Sequence, residues 1–276
     1  MAELSPIDFQ YVQGVLRKRA ALVLEAGKEY LVEARLMPLA RQQGFASINE
    51  LLGRMRHAPS SDLAQRVVEA MTIHESSFFR DWRPFEAMRQ TVIPGLIQAR
   101  GSRQLTLWSA ACSTGQEPYS LAMLIREHFP QLASWSVRIL ATDISRSILT
   151  KAKEGKFSQL EVNRGLPAPF LVKYFTRQGT DWVIRDDIRA MIDFREVNLA
   201  DVWPFSSSVD VVFIRNVLIY FDAPTKKTIL ERIHKTLAPD GALFLGAAET
   251  TFSLTNVFER APVDGACWYR RRAHPE

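Results

Sequence analysis

The stretch "WSAACSTGQEPYSLAML", residues 108–124, decides the fold. An apolar strand over Leu105–Ala110 runs through small residues into a helix over Glu117–Ile125. That is the strand–loop–helix outline of a cofactor site in a doubly wound sheet. A dinucleotide fingerprint has three glycines here, and this loop has only Gly115. The loop therefore suits a ligand that needs close backbone approach without a pyrophosphate cradle.

Working outward, apolar strands alternate with amphipathic helices. "QLTLWSA", "WSVRILATD", "VDVVFIRN" and "ALFLGAA" read as strands. "EPYSLAMLIREHF", "SRSILTKAKEG" and "TKKTILERIHKTL" read as helices. This alternation predicts a parallel sheet covered on both faces. The terminal "GACWYRRR" adds an expected edge strand. Tyr174–Phe194 breaks the rhythm around Gln178-Gly179-Thr180 and predicts a small antiparallel excursion.

Upstream, the chain reads as helical to about residue 75. Ser5-Pro6-Ile7-Asp8 combines a capping serine, a proline in the first turn and an acid beside the helix dipole. A second helix is predicted over roughly Lys28–Gln42, with a kink or break at Pro38. Ser47-Ile48-Asn49-Glu50 matches a capping box, and Ser61 is an expected cap for a fourth helix.

Bulk properties exclude little. The chain has 276 residues, 47% hydrophobic and 24% charged, with net charge +5. Mild basicity admits nucleic acid, an acidic membrane surface or an acidic protein as partner and selects none. No apolar run approaches a membrane span, and "MAELSPIDFQ" lacks the pattern of a secretory signal. Two cysteines, Cys112 and Cys267, form no disulfide framework and no metal-ligand spacing, so a cytoplasmic protein without metal is expected.

In an open parallel sheet, ligands bind at the carboxyl ends of the strands. Glu117 follows the first loop; it either favours the helix dipole or accepts an amine, and it would repel a pyrophosphate. Asp143 ends the second strand, where an acid accepts from ribose hydroxyls or caps the next helix. Asn198-Leu199 offers an amide and a flat apolar face to an adenine. Arg215-Asn216 leaves a buried strand, either for a site or for a buried ion pair. Adenine, ribose and an amine together point to S-adenosylmethionine.

"MTIHESSFFRD", "WSAACSTGQEPYSLAM", "LATDIS", "VNL" and "FIRNVLIYFD" occur in that order over nearly the whole chain. The sequence thereby resembles the CheR family of chemotaxis receptor methyltransferases. The resemblance implies a Rossmann-like methyltransferase sheet with an inserted β-subdomain (172–195) in a domain of residues 96–276. It also implies an all-α docking domain (1–75) and a linker with cofactor contacts (76–95). The implied reaction methylates glutamate side chains of chemoreceptors, with S-adenosyl-L-methionine as methyl donor and S-adenosyl-L-homocysteine as product. An S-adenosylmethionine-dependent methyltransferase acting on another protein, a small molecule or nucleic acid is the alternative.

Carried over by motif, the cofactor contacts are His74, Ser76, Arg80, Glu117, Asp143, Asn198, Leu199, Arg215 and Asn216. His74 replaces the asparagine usual in the family, and Ser76 keeps the hydroxyl of its threonine. Arg80 and Tyr220 are the catalytic candidates. Arg80 orients either the acceptor carboxylate or the cofactor's own; Tyr220 brings a hydroxyl to the reacting centre or packs as an aromatic. The expected partner is the cytoplasmic helical bundle of membrane-bound receptors, met by Lys28, Arg35 and Arg41. The short turn at Gln178-Gly179-Thr180 implies no tether to a receptor's C-terminal pentapeptide. A monomer without nucleic acid or membrane insertion is expected.

Overall fold

The computed structural model describes residues 4–58, 62–203, 208–261 and 268–272. The chain divides into two units: residues 1–73 with 220–225, and residues 74–219 with 226–276.

The first unit is helical: α1 (Pro6–Ala20), α2 (Glu29–Gln42), α3 (Ile48–His57) and α4 (Asp62–Met71). Ser5 caps α1 by accepting from the Asp8 N–H at 3.1 Å. Ser47 likewise accepts from Glu50 N–H at 3.2 Å. The return bond of the box goes to Ala46 N–H rather than to Ser47, at 2.8 Å. Of the kink or break expected at Pro38, the break does not occur: helix α2 continues through it. Ser61, the expected cap of α4, lies outside the described residues. Val12, Leu16, Val32, Leu36, Leu51, Leu52, Met55, Val67 and Val68 form the buried faces.

The second unit is built on a seven-stranded sheet. Its strands are β1 (Gln104–Ala110), β2 (Ser136–Asp143), β6 (Ile192–Glu196), β7 (Val209–Ile214), β8 (Leu237–Leu245), β9 (Phe258–Arg260) and β10 (Trp268–Arg271). Their order is β6-β2-β1-β7-β8-β10-β9. The first five are parallel; β10 pairs antiparallel with both β8 and β9. The expected terminal edge strand therefore lies inside the sheet, and β9 is the edge; Cys267 lies outside the described residues. A parallel strand buried on both faces reads as a continuous apolar run, as β7 does.

A second sheet has three strands, β3 (Lys156–Ser158), β4 (Phe175–Gln178) and β5 (Asp181–Ile184), in the order β3-β5-β4. Both pairings are antiparallel. The excursion read as Tyr174–Phe194 is thus divided differently. Ile192–Glu196 belongs to the main sheet, and Lys156–Ser158, three residues too short to carry a pattern, joins the small one. Phe78, Phe157 and Phe175 pack edge-on beneath the small sheet, with Phe78–Phe157 centroids 4.9 Å apart.

Gly165 allows the preceding segment to close on this core. It has φ +84°, and a Cβ there would stand 2.1 Å from the Phe78 carbonyl oxygen. Gly179 has φ +63° with open space around it. Gly179→Ala should cost about 1–2 kcal/mol, the left-handed backbone penalty alone. Gly165→Ala should cost clearly more, because backbone must also move. Urea denaturation of the two variants checks that order.

Candidate active site

The strand order reverses between β1 and β7: the chain runs from β1 outward through β2 to β6, then returns to pair β7 with β1. Ligands of doubly wound sheets bind in the crevice at such a point. Residues just past β1 and β7 therefore face each other across it.

The loop after β1 is tightly wound. Ala111, Ser113 and Gly115 all have positive φ, of 56°, 52° and 94°. Non-glycine residues in that region are strained and persist only where neighbours hold them. Here Cys112 N–H donates to Thr142 O at 2.8 Å, and Ser113 N–H to the Asp143 Oδ2 at 2.9 Å. Gly115 has no room for a side chain, since a Cβ would meet the Tyr119 ring at 3.0 Å.

Asp143 is buried, 5% exposed. Its other oxygen accepts from Ser145 N–H at 3.0 Å. Burial pushes its carboxyl above the usual carboxylate range; the backbone N–H of Ser145 and the charge of nearby His74 oppose the rise. The helix-cap alternative falls to Ser145, whose Oγ accepts from Ile148 N–H at the start of helix Arg146–Glu154. Asp143 instead ties the β1 and β2 loops together.

Glu117 is drawn away from a simple dipole role. Its Oε1 accepts from Ser109 Oγ at 2.7 Å, and its Oε2 pairs with Arg215 Nη1 at 3.1 Å. Arg215 follows β7, and its side chain is 2% exposed. Its Nη2 donates to Asp81 Oδ2 at 2.6 Å and to the Arg80 carbonyl at 3.0 Å. Its Nε–H is buried with no partner among the described residues. Arg215 is thus a buried ion pair, and it carries an unspent donor.

The stretch 74–82 completes the cluster. Ser113 Oγ donates to His74 O at 3.0 Å, and Phe79 N–H donates to Ser120 Oγ at 2.9 Å. Ser76 is half-buried on the same stretch. Arg80 is half-buried, and its Nη1 donates to Glu75 O at 3.1 Å. Phe79, Asp81 and Trp82 have φ of 47°, 66° and 45°, a concentration of strain at one bend.

The other sequence-predicted residues are placed as follows. Asn198 builds its own turn: Oδ1 accepts from Ala200 N–H at 3.1 Å, and Nδ2 donates to Asp201 at 3.0 Å. Leu199 is buried. Asn216, half-buried with φ 58°, sits directly after Arg215. Tyr220 falls in the helical unit, where its carbonyl accepts from Val23 N–H at 3.0 Å. Three participants carried no clear sequence signal: Ser109 inside a strand, Asp81 in "FFRD", and Glu249 in "GAAET". Asp81 had the best pointer, as an acid beside a candidate arginine.

The donor set fits a zwitterion. A free guanidinium N–H suits a carboxylate, the Glu117 carboxylate suits an ammonium, and no glycine-rich nest is present for a pyrophosphate. Among the described residues, no group of His, Cys, Asp and Glu is arranged to hold a metal. A sheet of this order with acids past β1 and β2 defines a Rossmann-like methyltransferase of the kind that binds S-adenosylmethionine.

Comparison with known proteins agrees. Residues 7–72 match the model of the CheR methyltransferase all-alpha domain, and residues 74–267 that of the CheR methyltransferase SAM-binding domain. The chain is 43% identical over 270 residues to chemotaxis protein methyltransferase 1 of Pseudomonas aeruginosa, covering 96% of this chain and 98% of that protein. It is 42% identical to chemotaxis protein methyltransferase Cher2 of Pseudomonas putida, covering 92% and 94%. It is 36% identical to a chemotaxis protein methyltransferase of Vibrio parahaemolyticus, covering 93% and 94%. The chain belongs to the CheR methyltransferase family. Its cofactor is S-adenosylmethionine, and its activity is a methylation in chemotaxis. No helix among the described residues is long and apolar enough to cross a membrane.

Asp143→Ala strips the acceptor from the N–H groups of Ser113, Ile144 and Ser145, at about 1–3 kcal/mol for each group left unsatisfied. Urea denaturation should show that loss, and titration calorimetry should show weaker S-adenosylhomocysteine binding. Asp143→Asn, which retains one carbonyl acceptor, should fall between mutant and parent on both measures.

Proposed function

We propose that the protein transfers methyl groups to glutamate side chains on the cytoplasmic helical bundle of methyl-accepting chemoreceptors, giving glutamyl methyl esters for sensory adaptation. The observation that carries this reading is the buried guanidinium of Arg215 at the switch point, which keeps one donor unspent. Arg80 and Arg215 are joined through the Arg80 carbonyl, and the Arg215 Nε–H is unpaired among the described residues. Such a place attracts carboxylates. The naming of the relatives as chemotaxis protein methyltransferases supports a receptor as substrate.

In this reading Glu117 accepts from the cofactor's ammonium group, and Arg215 donates through Nε to its carboxylate. Asp143 accepts from the ribose, with His74 beside it and Ser76 on the same stretch. Leu199 and Asn198 line the adenine, and Asn216 bounds the neighbouring surface. When bound, S-adenosylmethionine supplies a methyl already activated by its sulfonium. A glutamate carboxyl has an ordinary pKa of about 4.3, so the acceptor is ionised at neutral pH and the protein need not remove a proton. What remains is to align the acceptor oxygen, and a planar guanidinium fork does that. Arg80 has this role.

Docking belongs to the helical unit in this proposal. Arg35 is a poorer contact than its position on α2 suggests. Its Nη1 donates to the carbonyls of Met71 at 2.7 Å and Thr72 at 3.2 Å, closing the end of α4. Lys28 precedes α2 half-buried, and Arg41 is exposed in its last turn. These two are the better candidates for an acidic receptor surface.

Incubation with methyl-labelled S-adenosylmethionine and chemoreceptor-rich membranes should label the receptor, and mild alkali should release the label as methanol. Label stable to alkali would point to a different acceptor. Arg80→Lys keeps charge but loses the fork, so turnover should fall at least tenfold while circular dichroism stays unchanged. Lys28→Glu with Arg41→Glu should slow receptor methylation most at low salt and leave S-adenosylhomocysteine affinity as in the parent. Arg35→Glu should instead lower the melting temperature.

A further inference from the structure

Next to Arg215 in sequence, the backbone meets an anion of a different kind. Glu249, 6% exposed, follows β8. Its Oε2 accepts from Asn216 N–H at 2.8 Å and Gly246 N–H at 2.7 Å. Its Oε1 accepts from Val217 N–H at 2.9 Å and Leu218 N–H at 2.7 Å. One carboxylate thus satisfies four backbone donors from two strand-end loops. Three of them are successive residues of the loop after β7, the loop that carries Asn216 at φ 58°. A side-chain carboxylate accepting several N–H bonds in succession is a strong device for fixing backbone, since each bond is charge-assisted.

We infer that Glu249 is a positioning residue for the cofactor: it holds the β7 loop so that Asn216 keeps its left-handed conformation and presents its side chain to the site. The inference rests on the proposed cofactor role of Asn216. Without Glu249, Asn216, Val217 and Leu218 would have to find other acceptors, and the left-handed conformation of Asn216, which asparagine tolerates better than most residues, would lose the bond that holds its N–H. Gly246 is a second handle on the same device. A Cβ there would stand 2.7 Å from the Glu249 Oε2, 2.9 Å from Asn216 N and 3.0 Å from Asn216 Nδ2, and its own φ is not in the left-handed range.

The test is a double-mutant cycle read by S-adenosylhomocysteine affinity in the full chain. Glu249→Gln places an amide NH2 where two N–H groups need an acceptor, so the dissociation constant should rise about tenfold or more. Asn216→Ala should also weaken binding in the parent. In the Glu249→Gln background the same alanine should change affinity by less than about twofold, because the asparagine is already displaced. Additive effects would overturn the inference, as would parent-like affinity in folded Glu249→Gln. If Glu249→Gln fails to fold, Gly246→Ala takes its place in the cycle, with the same non-additivity expected and additivity again fatal. A purely structural Glu249 would lower the melting temperature of either variant without coupling to Asn216. Failure of the underlying cofactor reading looks different: Asn216→Ala alone would then bind as the parent does.

Discussion

A guanidinium taken out of water has to be paired where it lies. The idealised cost of burying such a charge is of order 20 kcal/mol, and several remain after relaxation. Arg215, with a side chain 2% exposed, is such a group. Its three partners come from two places: Glu117 past β1, and the Asp81 carboxylate and Arg80 carbonyl on the bend before it. None of these is its neighbour in sequence. The pairing is possible only if β1 and β7 adjoin, which is the order of the sheet. It also demands that the bend at Phe79–Trp82 reach the crevice, at the expense of three left-handed residues within four. The cation thereby binds the sheet topology, the linker segment and the cofactor loop into one requirement.

Glu249 is its counterpart of opposite sign. Arg215 collects carboxylates and a carbonyl, whereas Glu249 collects backbone N–H groups. The two charges act on consecutive parts of one loop: Arg215 anchors the first residue by its side chain, and Glu249 anchors the next three by their backbone. A loop restrained in both ways resists rotation about its own axis as well as displacement. That rigidity is what a site needs when it must hold a reacting atom within a fraction of an ångström.

Much of this was legible in the residues. The apolar runs at β1, β2 and β7, and the polar residues that end them, imply a parallel sheet and a crevice by themselves. Glu117, Asp143 and Arg215 stood out because charge at the end of a buried strand needs a reason. The missed parts share a physical cause. Lys156–Ser158 is too short for a period of two to register. The main-sheet strand Ile192–Glu196 follows a helical turn so closely that its alternation merged with the excursion. The position of β10 between β8 and β9 depends on pairing over long range, which no local pattern encodes. Asp81 and Glu249 are polar residues in loops, where polarity is the default; only their partners distinguish them. Arg35, named for docking from its place on the second helix, also gives its guanidinium to the carbonyls at the end of α4, a long-range contact that no local pattern encodes.

The interleaving of β10 sets an order of events during synthesis. Strand β9 leaves the ribosome before β10, yet among the described strands its sheet neighbour is β10 alone. Until β10 emerges, the outer flank of β8 is an open edge bearing Leu243 and Phe244, and β9 has nothing to pair with. The nascent chain therefore carries a sticky strand edge from the emergence of β8 until that of β10, a window in which a chaperone or a second nascent chain can compete for it.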